Sequence, residues 1–269
     1  ASAQALQADK FDVRYLSCES TTKRLGFATP WGSLWDPLGG GCQPAVFVHG
    51  LASACARRGV RIFENACATK LQSTPSGDLK VSVEGPSSAT VSVIATRAVN
   101  ALNAYAPLLD VSLSHLVAPF RGQMLSFPPT QPRLLKSVVY RNHGFEYFRQ
   151  HPDGRFTFGG FRQTAVAEET GFEEMTNQSV QKGLEDFARL CYPQLKDVEP
   201  DARWAGTMGF SLDGLPMVGQ HPSRSGVILN LGFTGHGFGL AMELSRMTAQ
   251  LLLEGTASDT DLFTPRRVS

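Results

Sequence analysis

A glycine-rich turn near the end of the chain has the residue types best suited to chemistry. It consists of Gly232, Phe233, Thr234, Gly235, His236, Gly237, Phe238 and Gly239. Glycine lets a backbone approach a ligand closely, and the first N–H groups of a helix attract negative charge. The turn therefore predicts a site for an electron-rich group. A tight strand-to-helix connection without a ligand would favour the same glycines, so both interpretations stay open.

The segments on either side of the turn have the patterns needed to hold it. Residues 227–229 form an apolar run typical of a buried strand. After the turn, apolar residues recur at helical spacing up to Gly255, at Leu240, Leu244, Met247 and Leu251. A strand, a turn and a helix are thus predicted in that order.

The sequence pattern before residue 112 predicts a further helix followed by strands. Residues 44–58 are predicted to form a helix that begins at Pro44 and is stopped by Gly59. Its core-facing side is predicted to consist of Val46, Phe47, Leu51, Ala54 and Cys55. Residues 60–63 then read as a strand, residues 70–84 and 90–94 as two more, and residues 98–102 as a short fourth. A helix that leads through glycine into a strand is typical of α/β proteins.

From residue 112 onwards the pattern becomes antiparallel. Short strands separated by turns are predicted at 117–124, 138–141, 145–149 and 155–160. Residues 177–191 predict an amphipathic helix that ends before Pro193. Residues 1–28 are mixed and polar, with no strong period.

Composition excludes several classes of protein. The 269 residues carry 25 basic and 24 acidic side chains without a dense basic cluster, so no nucleic-acid partner is expected. No apolar run is long enough to span a membrane. The five cysteines lack metal spacing, and we expect no metal and unpaired, mostly buried thiols in a reduced compartment such as the cytoplasm or a mitochondrion.

Motifs spread along most of the chain carry a family resemblance. They include Gly32–Pro37, Pro119–Gln123, Tyr147–Arg149 with Asp153–Arg155, Trp204–Thr207, Asp213–Gly219 and the glycine-rich turn. In this order they resemble the D-amino-acid-oxidase-like (DAO) family of FAD-dependent amine and amino-acid oxidoreductases. That family includes glycine oxidase, sarcosine oxidase and γ-glutamylputrescine oxidase.

The resemblance implies a fold of α/β plus α+β class. An incomplete FAD-binding, glutathione-reductase-like domain (29–112 and 205–262) is expected to interleave with an antiparallel substrate-binding domain (113–204). Residues 1–28 would be a substrate-domain segment or a linker, and residues 263–269 a tail. A G-x-G-x-x-G fingerprint is absent, since Gly39-Gly40-Gly41-Cys42-Gln43 is followed by Pro44. The expectation is therefore the C-terminal two-thirds of such an enzyme, with the fingerprint supplied by a missing N-terminal segment or a companion chain.

The resemblance also assigns roles to residues. Non-covalent FAD would contact the turn from Gly232 to Phe238 and five other residues: Ala68, Asn103, Ala104, Gly206 and Met217. His236, Tyr147 and Arg162 are the candidates for catalysis, although a structural hydrogen bond explains His236 equally well. The arginine that holds a substrate carboxylate in glycine oxidase falls on Met208. An amine substrate or a different arginine is therefore expected, with Arg121, Arg149 and Arg162 as candidates.

The function implied is oxidation of the CH–N bond of a small amine or amino acid by hydride transfer to flavin N5. Two alternatives remain. The chain could be a degenerate, non-catalytic subunit or assembly partner with the same fold. It could also keep the fold and act on tRNA, which its near-neutral charge disfavours because phosphate contacts require Lys and Arg.

Overall fold

A computed structural model describes residues 2–258 and 260–268. Its contacts divide the chain into two compact units. Unit 1 comprises residues 1–60, 122–168 and 175–205, and unit 2 comprises residues 61–121, 169–174 and 206–269. Residues 29–60 belong to the same unit as the strands Val139–Arg141, Glu146–Gln150 and Phe156–Gly160.

Helices and strands are distributed along the whole chain. The helices are α1 (Ser2–Ala8), α2 (Cys18–Leu25), α3 (Pro44–Arg57), α4 (Ala106–Leu109), α5 (Gln178–Cys191), α6 (Gly237–Glu254) and α7 (Thr260–Phe263). The strands are β1 (Arg14–Leu16), β2 (Ser33–Trp35), β3 (Cys67–Ser73), β4 (Leu79–Glu84), β5 (Thr90–Ala95), β6 (Ala98–Asn100), β7 (Val117–Phe127), β8 (Val139–Arg141), β9 (Glu146–Gln150), β10 (Phe156–Gly160), β11 (Ala202–Ser211), β12 (Met217–Gln220) and β13 (Val227–Leu231).

Unit 1 contains β8, β9, β10 and the part of β7 from residue 122, which belong to a sheet of order β11-β7-β10-β9-β8, and β7, β10, β9 and β8 pair antiparallel. Side chains alternate between the faces of a strand, so one face carries the aromatic row of Phe148 and Phe158. The amphipathic α5 supplies Val180, Leu184 and Ala188 to the same buried cluster. Burial of these apolar side chains is the main force that holds unit 1 together.

Local signals set the ends of α5. Asn177 precedes it, and its side-chain oxygen accepts hydrogen bonds from the backbone N–H groups of Ser179 and Val180. Pro193 follows and cannot continue the helix. The helix thus begins and ends where the sequence predicts.

Unit 2 contains two small sheets. In the first, β12 and β13 pair antiparallel while β13 and β6 run parallel, and the turn that follows β13 leads into α6. The second is the antiparallel sheet β3-β4-β5. Helix α6 packs Leu244, Met247 and Leu251 against Val218 and Ile228, as its apolar spacing predicts.

The structure corrects several predictions about local elements. Residues 60–63 form no strand, and residues 70–84 split into β3 and β4 around a turn at residues 74–78. Residues 1–28, for which no pattern was found, contain α1, β1 and α2. Short elements of this kind are missed because three strand residues cannot establish a period.

The predicted inner side of α3 is wrong. The helix is present at Pro44–Arg57, but Val46, Phe47 and Leu51 are exposed and no residue of the helix is buried.

The prediction of mostly buried thiols is also wrong. All five cysteines are unpaired, as expected, but of these only Cys191 is buried.

Two further findings concern the described residues as a set. No helix within residues 2–258 and 260–268 has the length and hydropathy that a membrane crossing requires. Within the same residues, no three His, Cys, Asp or Glu side chains are grouped so as to hold a metal ion.

Replacement of Leu184 by alanine tests the core of unit 1. Leu184 is fully buried, and the lost contacts together with the cavity should lower the free energy of unfolding by about 2–5 kcal/mol. Leu190, on the same helix, is 79% exposed and provides the matched control. Leu190→Ala should change the free energy of unfolding by less than about 0.5 kcal/mol. Urea denaturation measures both, and equal effects would contradict the described packing.

Candidate functional site

The glycine-rich turn adopts backbone angles that explain its composition. Gly232 and Gly235 have φ values of 75° and 79°, in the left-handed region where a side chain is disfavoured. Thr234 also has a positive φ, of 51°, and neighbouring contacts hold it there. Its N–H donates to Gly209 O at 2.8 Å, and its hydroxyl lies 3.2 Å from Ser211 Oγ. The turn is therefore a defined structure that β11 supports.

Asn103 holds the beginning of the turn. Its side-chain oxygen accepts a hydrogen bond from the N–H of Gly232 at 2.9 Å and a longer one from Phe233 at 3.4 Å. Asn103 itself has a φ of 49°, a conformation that asparagine tolerates better than most residues. A Cβ atom at Gly209 would collide with this carboxamide, which explains glycine at that position.

The opposite side of the turn is open. His236 is the N-cap of α6 but makes no side-chain capping bond, because its Nδ1 lies 2.8 Å from Thr234 O. A carbonyl oxygen only accepts, so Nδ1 carries the proton and donates. His236 thus makes the structural hydrogen bond that the sequence left as one of two interpretations, and its catalytic role stays a prediction.

The open side fits an electron-rich ligand edge. Gly235, His236 and Gly239 are exposed, and a Cβ atom at Gly239 would meet no atom within 4 Å. The first turn of α6 carries no acidic side chain that would oppose negative charge. Backbone amides at a helix N-terminus carry partial positive charge. These residues therefore fit the pyrimidine edge of a flavin, the group that the family resemblance implies.

The other residues predicted to contact FAD differ in burial and in the elements to which they belong. Ala104 is buried next to Asn103, and Gly206 is exposed on β11. Met217 is fully buried in a core cluster, so its side chain supports β12 and β13 from within. Ala68 lies in β3 beside an irregularity of the sheet. Cofactor contact by each of them stays a prediction.

Asp213 caps its own turn. Its carboxylate accepts from Leu215 N–H at 3.1 Å and pairs with Arg267 at 2.6 Å. The Arg267 hydrogen bond lowers the pKa of Asp213 to about 2, so the carboxylate stays ionised at neutral pH. Arg267 belongs to the stretch that was expected to be a tail, and its side chain also donates to Leu215 O at 2.6 Å.

Tyr147 lies in unit 1, on the sheet face opposite the α5 cluster. It forms a row across four strands with Tyr140, Gly159 and Met124. A Cβ atom at Gly159 would collide with both Tyr147 and Met124, so glycine lets these two side chains meet. Burial raises the pKa of Tyr147, and the phenol therefore stays protonated at neutral pH.

Arg162 is near this row. Its guanidinium carbon lies 4.7 Å from the centre of the Phe145 ring, a cation–π geometry that fixes the position of the cation. Burial lowers the pKa of Arg162, and the nearby phenols of Tyr147 and Tyr140 act in the opposite direction. A guanidinium beside phenol groups can bind a carboxylate.

The two other candidate arginines make contacts within the protein that stabilise the fold. Arg121 is buried with Glu169 at 3.5 Å, and it donates to Glu173 O at 2.8 Å. Arg149 donates to Cys42 O at 2.5 Å. Tyr147 and Arg162 thus both lie in unit 1, whereas His236 and the turn belong to unit 2.

Comparisons with known proteins agree with the resemblance. The family profile described as FAD dependent oxidoreductase (DAO) matches residues 1–251. A probable oxidoreductase, OrdL, from Rhizobium meliloti is 28% identical over 257 residues, covering 93% of this chain and 56% of the relative. The γ-glutamylputrescine oxidoreductase of Escherichia coli is 27% identical over 240 residues, covering 86% and 52%. The chain therefore spans about half the length of these relatives.

A solved structure gives the same fold. Glycine oxidase from Geobacillus kaustophilus superimposes with a TM-score of 0.82 at 22% identity, covering 97% of this chain and 69% of that one. The likeness shows a shared arrangement of mixed helices and sheets.

Replacement of Asn103 by glycine tests the support of the turn. Glycine keeps the left-handed backbone accessible but removes the acceptor for Gly232, and the free energy of unfolding should fall by about 1–3 kcal/mol. Asn103→Asp keeps an acceptor and is the matched control. Amide hydrogen exchange at Gly232 should accelerate in the glycine variant alone. Unchanged exchange would show that the carboxamide does not hold the turn.

Proposed function

Because the chain belongs to the DAO family of FAD dependent oxidoreductases, we propose that it forms part of a flavoenzyme that oxidises the CH–N bond of an amine or amino acid. The observation that carries the proposal is the open, amide-rich turn before α6. Its backbone angles, its glycines and the lack of an acidic side chain in the first helical turn all favour a ligand that carries or gains negative charge.

Bound FAD would accept a hydride equivalent from the substrate at its N5 position. The contribution of this chain to the reaction would then be electrostatic stabilisation of charge on the flavin. Backbone N–H groups of Gly235 and Gly237 would hold the pyrimidine edge of the flavin and stabilise negative charge that develops there. Asn103 and the Nδ1–H of His236 hold the turn in shape before the ligand arrives. A fixed arrangement of donors needs no reorganisation during the reaction.

Substrate selection is proposed to use Tyr147 and Arg162. Met208 stands where glycine oxidase has its carboxylate-binding arginine, and Arg121 already pairs with Glu169. The candidate proposed instead is Arg162, whose guanidinium lies over the ring of Phe145. A guanidinium and a protonated phenol together can hold an amino-acid carboxylate.

The adenosine pyrophosphate half of FAD is proposed to be held by residues outside these 269. The relatives are nearly twice as long as the part that this chain matches. A strand followed by G-x-G-x-x-G and a helix is the usual pyrophosphate cradle. A companion chain or a further segment of the same polypeptide would supply it.

The absorption spectrum of the natively purified, unfragmented protein tests the proposal. We expect the visible bands of an oxidised flavin, released by denaturation because the attachment is non-covalent. Under anaerobic conditions an amine or amino-acid substrate should bleach them. A protein that carries no flavin and takes up none from added FAD would contradict the proposal and favour a non-catalytic assembly role.

Arg162→Met tests the substrate assignment in that protein. Loss of a charged hydrogen bond worth about 1.5–3 kcal/mol should raise KM for an amino acid by roughly 10–100-fold. KM for the corresponding amine without a carboxylate should stay unchanged. Arg133, which is exposed in unit 1, provides the control variant Arg133→Met. Equal losses for both substrates would exclude carboxylate binding by Arg162.

A further inference from the structure

Unit 1 contains a cavity that the proposed oxidation does not use. Its volume is about 690 Å³, within the range of cavities that bind small molecules. Residues of α2, of the β1–β2 pair and of β8 line it. His236, Tyr147 and Arg162 are not among the lining residues.

The walls of this cavity are largely apolar and aromatic. They include Leu16, Phe27, Trp31, Trp35 and Val138. The side chain of Trp31 is well exposed, so a ligand that covered it would remove apolar surface from water. These walls favour a ligand with a carbon body over a small inorganic ion.

The charge of the lining has one sign. Arg24 and Arg141 contribute guanidinium groups, and none of the described lining residues is acidic. Arg141 is neutralised, since its Nε lies 2.6 Å from Glu146. Arg24 is different: no carboxylate of the described residues pairs with it. The cavity therefore keeps the positive charge of Arg24.

Trp35 fixes the position of that charge. The guanidinium carbon of Arg24 lies 4.2 Å from the centre of the Trp35 ring. Stacking on an aromatic face leaves the N–H donors at the edge of the guanidinium plane available for a planar anion. A carboxylate matches these donors with two parallel hydrogen bonds.

Two hydroxyl groups add polar partners in the same cavity. Thr21 is buried, and its Oγ1 lies 3.0 Å from Ser33 Oγ. Each hydroxyl can both donate and accept, so this pair can reorient towards a ligand oxygen. Polar groups at a few points of an apolar wall are the usual composition of a small-molecule site.

We propose that this cavity binds an organic monocarboxylate with an aromatic or compact apolar body. The carboxylate pairs with Arg24, and the apolar body packs against Trp31, Trp35 and Val138. Binding requires neither flavin nor the residues assigned to the reaction, so the proposal stands apart from the oxidoreductase function.

Tryptophan fluorescence measures this binding directly. Two of the three tryptophans of the chain, Trp31 and Trp35, line the cavity, and the third is Trp204. Titration with 3-phenylpropanoate should change the emission and saturate, while the neutral 3-phenylpropanamide should bind at least about tenfold more weakly, as expected for the loss of a charged hydrogen bond. Inorganic phosphate should not compete at equal concentration.

Arg24→Gln should raise the Kd for 3-phenylpropanoate by roughly tenfold or more. The matched control is Lys23→Gln, which removes the same charge from the same helix outside the cavity and should leave the Kd unchanged. Val138→Phe narrows the cavity without a change of charge and should also weaken binding. It provides an independent test of the cavity if the Arg24 variant does not fold.

Three results would overturn the proposal. They are equal affinity for the acid and its amide, an Arg24 variant that binds like the control, and phosphate that displaces the acid at equal concentration. Flavin content and turnover are independent of these titrations, so failure of this site would leave the proposed function untouched.

Discussion

The hydrogen bonds that Asn103 accepts from the backbone of Gly232 and Phe233 determine the shape of the candidate site. They join the short 3-10 segment that follows β6, at Asn103–Tyr105, to the turn between β13 and α6. Without them, a turn with positive φ at Gly232, Thr234 and Gly235 would lose the partner of its first amide. Because the carboxamide holds one side of the turn, the other side remains open at the helix N-terminus, where partial positive charge is strongest.

Much of the fold follows from local sequence patterns. Apolar spacing predicted α5 and α6, and residues at their ends set their limits: Asn177 and Pro193 for α5, Gly255 for α6. These predictions succeeded because each element buries one face and carries its own stop signal. The apolar face of α3 was equally clear, yet Val46 and Leu51 are exposed. An amphipathic pattern identifies an apolar face but does not identify what covers it.

The contacts that organise the site were less accessible from sequence. The glycines identified the turn, but nothing local indicates that Asn103 reaches Gly232 across 129 residues. The pairing of Asp213 with Arg267 spans 54 residues and is likewise not indicated by local patterns. The only signal for the first contact was an asparagine after a short strand, a residue type that tolerates left-handed backbone. Long-range side-chain contacts depend on the folded chain, and patterns of neighbouring residues do not encode them individually.

The central claim is that the amides of this turn face the flavin. Selective labelling of glycine with ¹⁵N in the full-length protein, compared without and with FAD, addresses it most directly. The account predicts that the amide signals of Gly235, Gly237 and Gly239 shift on FAD binding, while those of Gly77 and Gly85, in the turns that connect β3, β4 and β5, stay in place. A flavin-loaded protein in which the turn glycines keep their positions would contradict it.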